Sequence, residues 1–164
     1  YTPNVEAARI LLDDLRPRLR RSAPGLRIVL CGRQPPPELL MAAAEDPLLT
    51  VTGEVPDVRP WFARADLVVV PLRLGGGTRL KILEALAAGC PVVSTPKGAE
   101  GLRLEPGLHL LLGETVAELA EAVLWCLHRP DEALAMARRG RDEVERLYSW
   151  QANEAKVQIG RAHV

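Results

Sequence analysis

Apolar positions near the start of the chain recur at helical spacing. Val5, Ala8, Ile10-Leu11-Leu12, Leu15 and Leu19 mark this repeat. Asn4 stands as N-cap and Pro24-Gly25 as the stop, so the pattern predicts one helix. The pattern then changes. Leu26 to Cys31 is a short, continuous apolar run ended by Gly32, which predicts a strand buried on both faces. After Pro35-Pro36-Pro37, Glu38 to Ala44 reads as a helix, and Leu48 to Thr52 as a second strand closed by Gly53. Val58 to Ala65 is a short helix with Trp61 and Phe62 in the core, and Leu67 to Val70 the clearest buried strand. Thr78 to Ala88 is a helix stopped by Gly89. Pro91 to Ser94 and Leu108 to Leu112 are strands. Thr115 and Glu118 form a capping-box pattern before a helix to His128, and Asp131 opens a last helix through Arg146.

Short apolar strands alternating with helices predict an α/β fold: a Rossmann-like parallel sheet with helices on both faces. Ligands of such sheets sit beyond the carboxyl ends of the strands. The loops that start at Gly32, Gly53, Pro71 and Thr95 are therefore the ones to inspect. The 164 residues suit one domain, and an apolar share of 48% is enough for a core. We expect the domain over residues 1–150 and a tail over 151–164. The chain opens on Tyr1 without Met, as a domain cut from a longer protein would. Residues 158–164 resemble read-through of a sequencing adapter and are expected to be non-native.

Lys plus Arg is 21 and Asp plus Glu is 21. That balance argues against a nucleic-acid partner, as does an aromatic share of 4%. Arg16, Arg18, Arg20 and Arg21 read as a solvated helix face. The three cysteines, Cys31, Cys90 and Cys126, are widely spaced. They suit a reducing compartment and neither a disulfide scaffold nor a thiolate zinc site. A cytoplasmic location is expected, since no apolar run is long enough to span a membrane.

Candidate chemistry concentrates between Pro71 and Glu84. Gly75, Gly76 and Gly77 lie between a buried strand and a helix. Glycines let backbone approach a ligand, and a helix start offers unpaired N–H groups to an anion. Arg79 and Lys81 place cations at that positive end, which is easier to understand if an anion neutralises them. A bare tight turn is the other reading. The loop fits neither a Walker A motif nor G-x-G-x-x-G. Glu84 lies in an otherwise apolar helix; it either faces solvent or meets hydroxyls of a ligand lying along the helix. The Pro96 to Gly101 loop and Gly53-Glu54-Val55-Pro56-Asp57 belong to the same edge, giving room for a nucleotide-sized crevice.

Taken together, the blocks Gly53 to Pro60, Ala65 to Leu72, Gly75 to Gly89 with Pro91-Val92-Val93, and Gly98 to Leu102 resemble one family. It is the C-terminal, donor-binding half of a GT-B glycosyltransferase, in the large retaining family four. The resemblance runs from about Tyr1 to Trp150. It implies donor-binding roles for Glu84 on the ribose hydroxyls, for Val55 and Asp57 beside the base, and for Gly75, Gly76, Gly77 and Thr78 at the sugar and diphosphate. Gly32 and Gly98 would face the crevice. At the first glutamate of the family's paired-glutamate motif this chain has Gly76. On our own reading of the charges, and not as a property of the family, Arg79 and Lys81 would supply phosphate contacts instead.

The resemblance also implies a first strand and an acceptor domain before Tyr1, with the catalytic residues there. The expected parent moves a sugar from a UDP or GDP sugar, with retention. That donor is a substrate rather than a cofactor, and no metal is expected, since no Asp-x-Asp motif is present. Any peripheral membrane contact would come through the absent half. The competing readings are a sugar-nucleotide epimerase, for which Glu100 is the local acid/base candidate, and a non-catalytic nucleotide-binding module. His109 and His128 lie apart from carboxylate clusters and read as structural.

Overall fold

The computed structural model describes residues 2–75 and 79–148. The expected site residues Gly76, Gly77 and Thr78 and the tail from 151 lie outside the described residues. α1 (Thr2–Arg9) continues through a π-helical segment (Ile10–Leu15) into α2 (Arg16–Ser22). The widened turns have a local cause. Pro17 has no N–H to donate and its ring crowds the carbonyl one turn back. The Arg16 N–H accordingly reaches Leu11 O rather than the usual fourth carbonyl back. Asn4 is not the N-cap that the pattern suggests, because the helix already includes it.

β1 (Ile28–Cys31), α3 (Pro37–Glu45), β2 (Leu49–Gly53), α4 (Arg59–Arg64), β3 (Val68–Val70), α5 (Leu80–Ala87), β4 (Val92–Ser94), β5 (Leu111–Leu112), α6 (Val116–His128) and α7 (Pro130–Tyr148) follow. Every strand pairing is parallel. The pairing falls into two groups, β1-β2 and β3-β4-β5. β1 has one partner, and Val29 on it is 45% exposed. The last strand is shorter than its apolar run suggests: Leu108 is exposed, and a single bridge from Pro106 to Leu110 precedes β5.

Alternation along β4 shows how both faces are covered. Val93 packs with Leu15, Leu19, Leu119, Val123 and Met136. Its neighbour Val92 packs with Ile82, Ala85, Leu86 and Val144 on the other side. Trp61 and Phe62 are half-buried, and Phe62 lies at the margin of the second cluster. α5 ends in a Schellman arrangement: Gly89 N–H donates to Leu86 O at 2.8 Å and Cys90 N–H to Ala85 O at 2.9 Å. Gly89 has φ +76°, which glycine adopts without strain.

The capping box on α6 is complete. Glu118 N–H donates to Thr115 Oγ1 at 3.2 Å, and Glu118 Oε2 accepts from Thr115 N–H at 3.0 Å. Thr115→Ala is expected to lower stability by about 0.5–2 kcal/mol in urea unfolding, and Thr115→Ser to restore most of it. An unchanged midpoint in Thr115→Ala would mean that the cap adds nothing.

Buried free thiols follow from the core. Desolvation pushes the Cys90 thiol up to about 12 and that of Cys126 to about 11, so both stay protonated. Cys31 is exposed at the end of β1. Arg16 and Arg20 both pair with Asp46 at the end of α3, the latter at 2.5 Å, so this basic stretch is partly a helix-to-helix tie. No described helix is long and apolar enough to cross a membrane.

Candidate functional site

The loops after β3 and β4 are fastened to each other by hydroxyl groups. Ser94 Oγ donates to Val70 O at 3.1 Å or to Thr95 O at 3.0 Å. Thr95 Oγ1 bonds Leu72 O and accepts from Gly98 N–H, the latter at 2.9 Å. Gly98 is buried, and a Cβ there would lie 2.9 Å from Val70 O and collide with Ser94 Oγ. Its lack of a side chain is thus already required by the packing of the two loops. The sequence marks Thr95 only as the start of a loop and Ser94 only as the end of a strand, although two adjacent hydroxyl residues after Val92-Val93 are the signal for this fastening role.

Arg79 precedes α5 directly, at its N-cap position. Its side chain is only 6% exposed. Nη2 donates to Gly75 O and to Glu100 Oε2, both at 3.3 Å, while Nε is buried without a partner among the described residues. Gly75 has φ +103°, a conformation open to glycine, and so turns its carbonyl toward the guanidinium. Lys97 Nζ meets the same Glu100 oxygen at 2.6 Å. That hydrogen bond and the Lys97 charge, with a smaller contribution from Arg79, hold the Glu100 carboxyl below the usual carboxylate range. Two cations and one carboxylate therefore meet beside the start of α5, where the helix dipole adds positive potential.

The other expected site residues are placed as follows. Glu84 is exposed in the second turn of α5, and among the described residues no donor engages its carboxylate. Lys81 is also exposed, but its ammonium donates to Asn4 Oδ1 at 2.6 Å, and desolvation there lowers its pKa. It is thus tied to α1 rather than to the Arg79–Glu100 group. Gly32 and Gly53 are joined by an N–H to carbonyl bond of 3.2 Å at the ends of β1 and β2. Val55 is half-buried in the following loop. Asp57 accepts from the Arg59 backbone N–H at 2.9 Å and from Arg59 Nε at 3.0 Å, and these bonds depress its pKa. Its carboxylate serves the start of α4. The structure therefore brings together Gly75 and Arg79 with the additional residue Glu100, while Gly98 packs against Ser94, Thr95 and Val70 O where the loops after β3 and β4 meet. Gly32, Val55 and Asp57 belong to the loops of the other strand pair.

His109 Nδ1 accepts from Glu105 N–H at 2.9 Å inside a turn, and His128 ends α6. Among the described residues no group of three His, Cys, Asp or Glu side chains could hold a metal ion.

The described residues thus form a parallel α/β fold with a charged, glycine-bordered cluster at the start of α5. Residues 1–129 match the model of the family described as glycosyl transferases group 1, and the chain belongs to that family. It is similar to the GDP-mannose-dependent alpha-(1-6)-phosphatidylinositol monomannoside mannosyltransferase of Mycobacterium tuberculosis. The two are 31% identical over 155 residues, covering 86% of this chain and 40% of that protein. A monoacylated-substrate counterpart from Corynebacterium glutamicum is 31% identical over 105 residues, covering 60% of this chain and 28% of that protein. The chain thus spans 40% or less of these curated relatives.

Among solved structures, Anabaena HepE in complex with UDP and glucose superposes with a TM-score of 0.78 at 17% identity. The match covers 93% of this chain and 45% of that one. Sucrose-phosphate synthase from Thermosynechococcus elongatus gives 0.69 at 22% identity, over 88% of this chain and 42% of that one. The fold is that of a GT-B glycosyltransferase, and the chain is part of a larger one.

Proposed function

We propose that this chain is the donor-binding half of a retaining glycosyltransferase that uses a nucleoside diphosphate sugar. The observation that carries the reading is Arg79, a buried guanidinium at the start of α5 with Nε unpartnered among the described residues. A cation so held can take an oxyanion without first losing bulk hydration. Catalysis would come from stabilising the departing diphosphate with that cation and the helix start. Gly75, Gly76, Gly77 and Thr78 would let backbone N–H groups approach the phosphates, Glu84 would hold the ribose, and Val55 would border the base.

Asp57, already bonded to Arg59, would shape that loop. Gly32 would lie at its strand-end border. Lys81 would add only long-range positive potential. A strand of the parent preceding Tyr1 would complete the sheet at the open side of β1. The acceptor domain, from the same parent, would close over the donor.

A GDP-linked sugar is favoured over a UDP-linked one. The relatives with GDP-mannose in their names are 31% identical, whereas the UDP complex shares only the fold at 17%. The epimerase reading gains no free acid/base group, because its candidate Glu100 is already bonded to Lys97 at 2.6 Å and to Arg79 at 3.3 Å.

The test is calorimetry on the full-length parent with GDP, UDP and their nucleosides. GDP should bind more tightly than guanosine. Arg79→Gln should weaken GDP about tenfold and leave guanosine unchanged, as expected from the loss of a charged hydrogen bond. Equal losses for the nucleoside and the diphosphate would overturn the phosphate role of Arg79.

A further inference from the structure

We propose that the Glu100 carboxylate is a stand-in ligand. It occupies the anion position beside Arg79 and Lys97 until a phosphoryl oxygen of a nucleoside diphosphate displaces it. The inference rests on the donor-site reading above and adds to it a residue that sets anion affinity.

The asymmetry of the ion pair carries the argument. Arg79 is only 6% exposed in its side chain, whereas Glu100 is 57% exposed. The cation is built into the packing ahead of α5, and the anion comes from a surface loop beside Gly101, where φ is +82°. Nη2 lies 3.3 Å from Glu100, longer than the roughly 2.7–2.9 Å of a well-formed charged bond. Nη2 divides its donation between Glu100 and Gly75 O, and Nε has no partner among the described residues. Among the described residues, Arg79 is thus under-satisfied.

Lys97 is bound to the same carboxylate oxygen and sits on the same loop. If Glu100 swings out, it can keep Lys97 as its partner in solvent while Arg79 is released. Two cations facing one carboxylate leave the group positive by one formal charge. An incoming diphosphate would carry more negative charge to Arg79 than Glu100 does. A nucleoside would have nothing to offer there.

The experiment uses the full-length parent and compares wild type with Glu100→Gln, which keeps shape and removes the charge. GDP and UDP are titrated by calorimetry at low salt, with guanosine and uridine as controls. The preferred diphosphate should bind about three- to tenfold more tightly to Glu100→Gln, as removal of a competing exposed ion pair and a like charge implies. The nucleosides should bind unchanged, and the gain should shrink at high salt.

A purely structural role for the pair predicts the opposite sign, a less stable variant with weaker diphosphate binding. If wild type binds a diphosphate no better than its nucleoside, the donor-phosphate reading fails and this proposal falls with it. If wild type prefers the diphosphate but Glu100→Gln binds it no more tightly, the stand-in role alone is overturned. Should Glu100→Gln not fold, Glu100→Asp keeps the charge but shortens its reach to Arg79. It should bind the diphosphate more tightly than wild type, and an unchanged affinity would overturn the proposal.

Discussion

Leu86→Ala is expected to lower the stability of the domain by about 2–5 kcal/mol, a large share of the roughly 5–15 kcal/mol that holds a domain together. Leu86 is fully buried on α5 among Ile82, Ala85, Val92 and Val144. Its truncation removes transfer free energy and leaves a cavity between α5 and α7. The same contact explains Gly140, which interrupts an otherwise ordinary helix. A Cβ on Gly140 would lie 2.8 Å from Leu86 Cδ2 and 2.7 Å from His109 O. Gly140→Ala should therefore destabilise as well, by about 1–3 kcal/mol.

The two effects are coupled. Combining the substitutions removes the Leu86 collision but not the one with His109 O. The double variant should be less destabilised than the sum of the singles, by about 0.5–3 kcal/mol. Urea midpoints of the four proteins check this. Strict additivity would show that α5 and α7 do not meet at this pair, and would move the packing that supports the start of α5 elsewhere.

Glu84→Gln in the full-length parent is expected to weaken binding of the donor nucleotide by about 1.5–3 kcal/mol, or roughly 10- to 150-fold, with turnover falling in step. The exposed carboxylate on α5 would lose its charge-assisted bonds to ribose and keep its shape. Guanosine should suffer as much as GDP, since ribose is common to both. That pattern separates Glu84 from Arg79, whose removal should spare the nucleoside. Calorimetry with both ligands on both variants gives the answer. Unchanged binding in Glu84→Gln would assign this residue to the solvated face of α5, and the ribose contact would have to come from another group.

The amino-acid sequence by itself determined the elements whose causes are local. Continuous apolar runs mark β1, β3 and β4, and β2 shows an apolar-polar alternation. β4 is covered on both faces and needs no alternation, whereas β1 leaves Val29 exposed despite its apolar run. The Thr115–Glu118 box and the Gly89 stop were legible because each bond closes within one helical turn. The family blocks were legible for a related reason, since their residues lie in short stretches with fixed spacing.

Tertiary structure decided what depends on residues far apart in the chain. The division of the sheet into two paired groups has no local signal. Asn4, taken from its neighbours as an N-cap, lies inside the helix and receives Lys81 across a separation of 77 residues. The glycine requirement at Gly98 comes from the approach of β3 to β4, and that at Gly140 from the approach of α7 to α5. The Arg79–Glu100 pair joins two loops 21 residues apart, and only the packing that buries the guanidinium separates a charged site from a solvated helix face. Periodicity reports which side of an element is apolar. It cannot report which distant element will cover that side, because that depends on how whole strands and helices fit together.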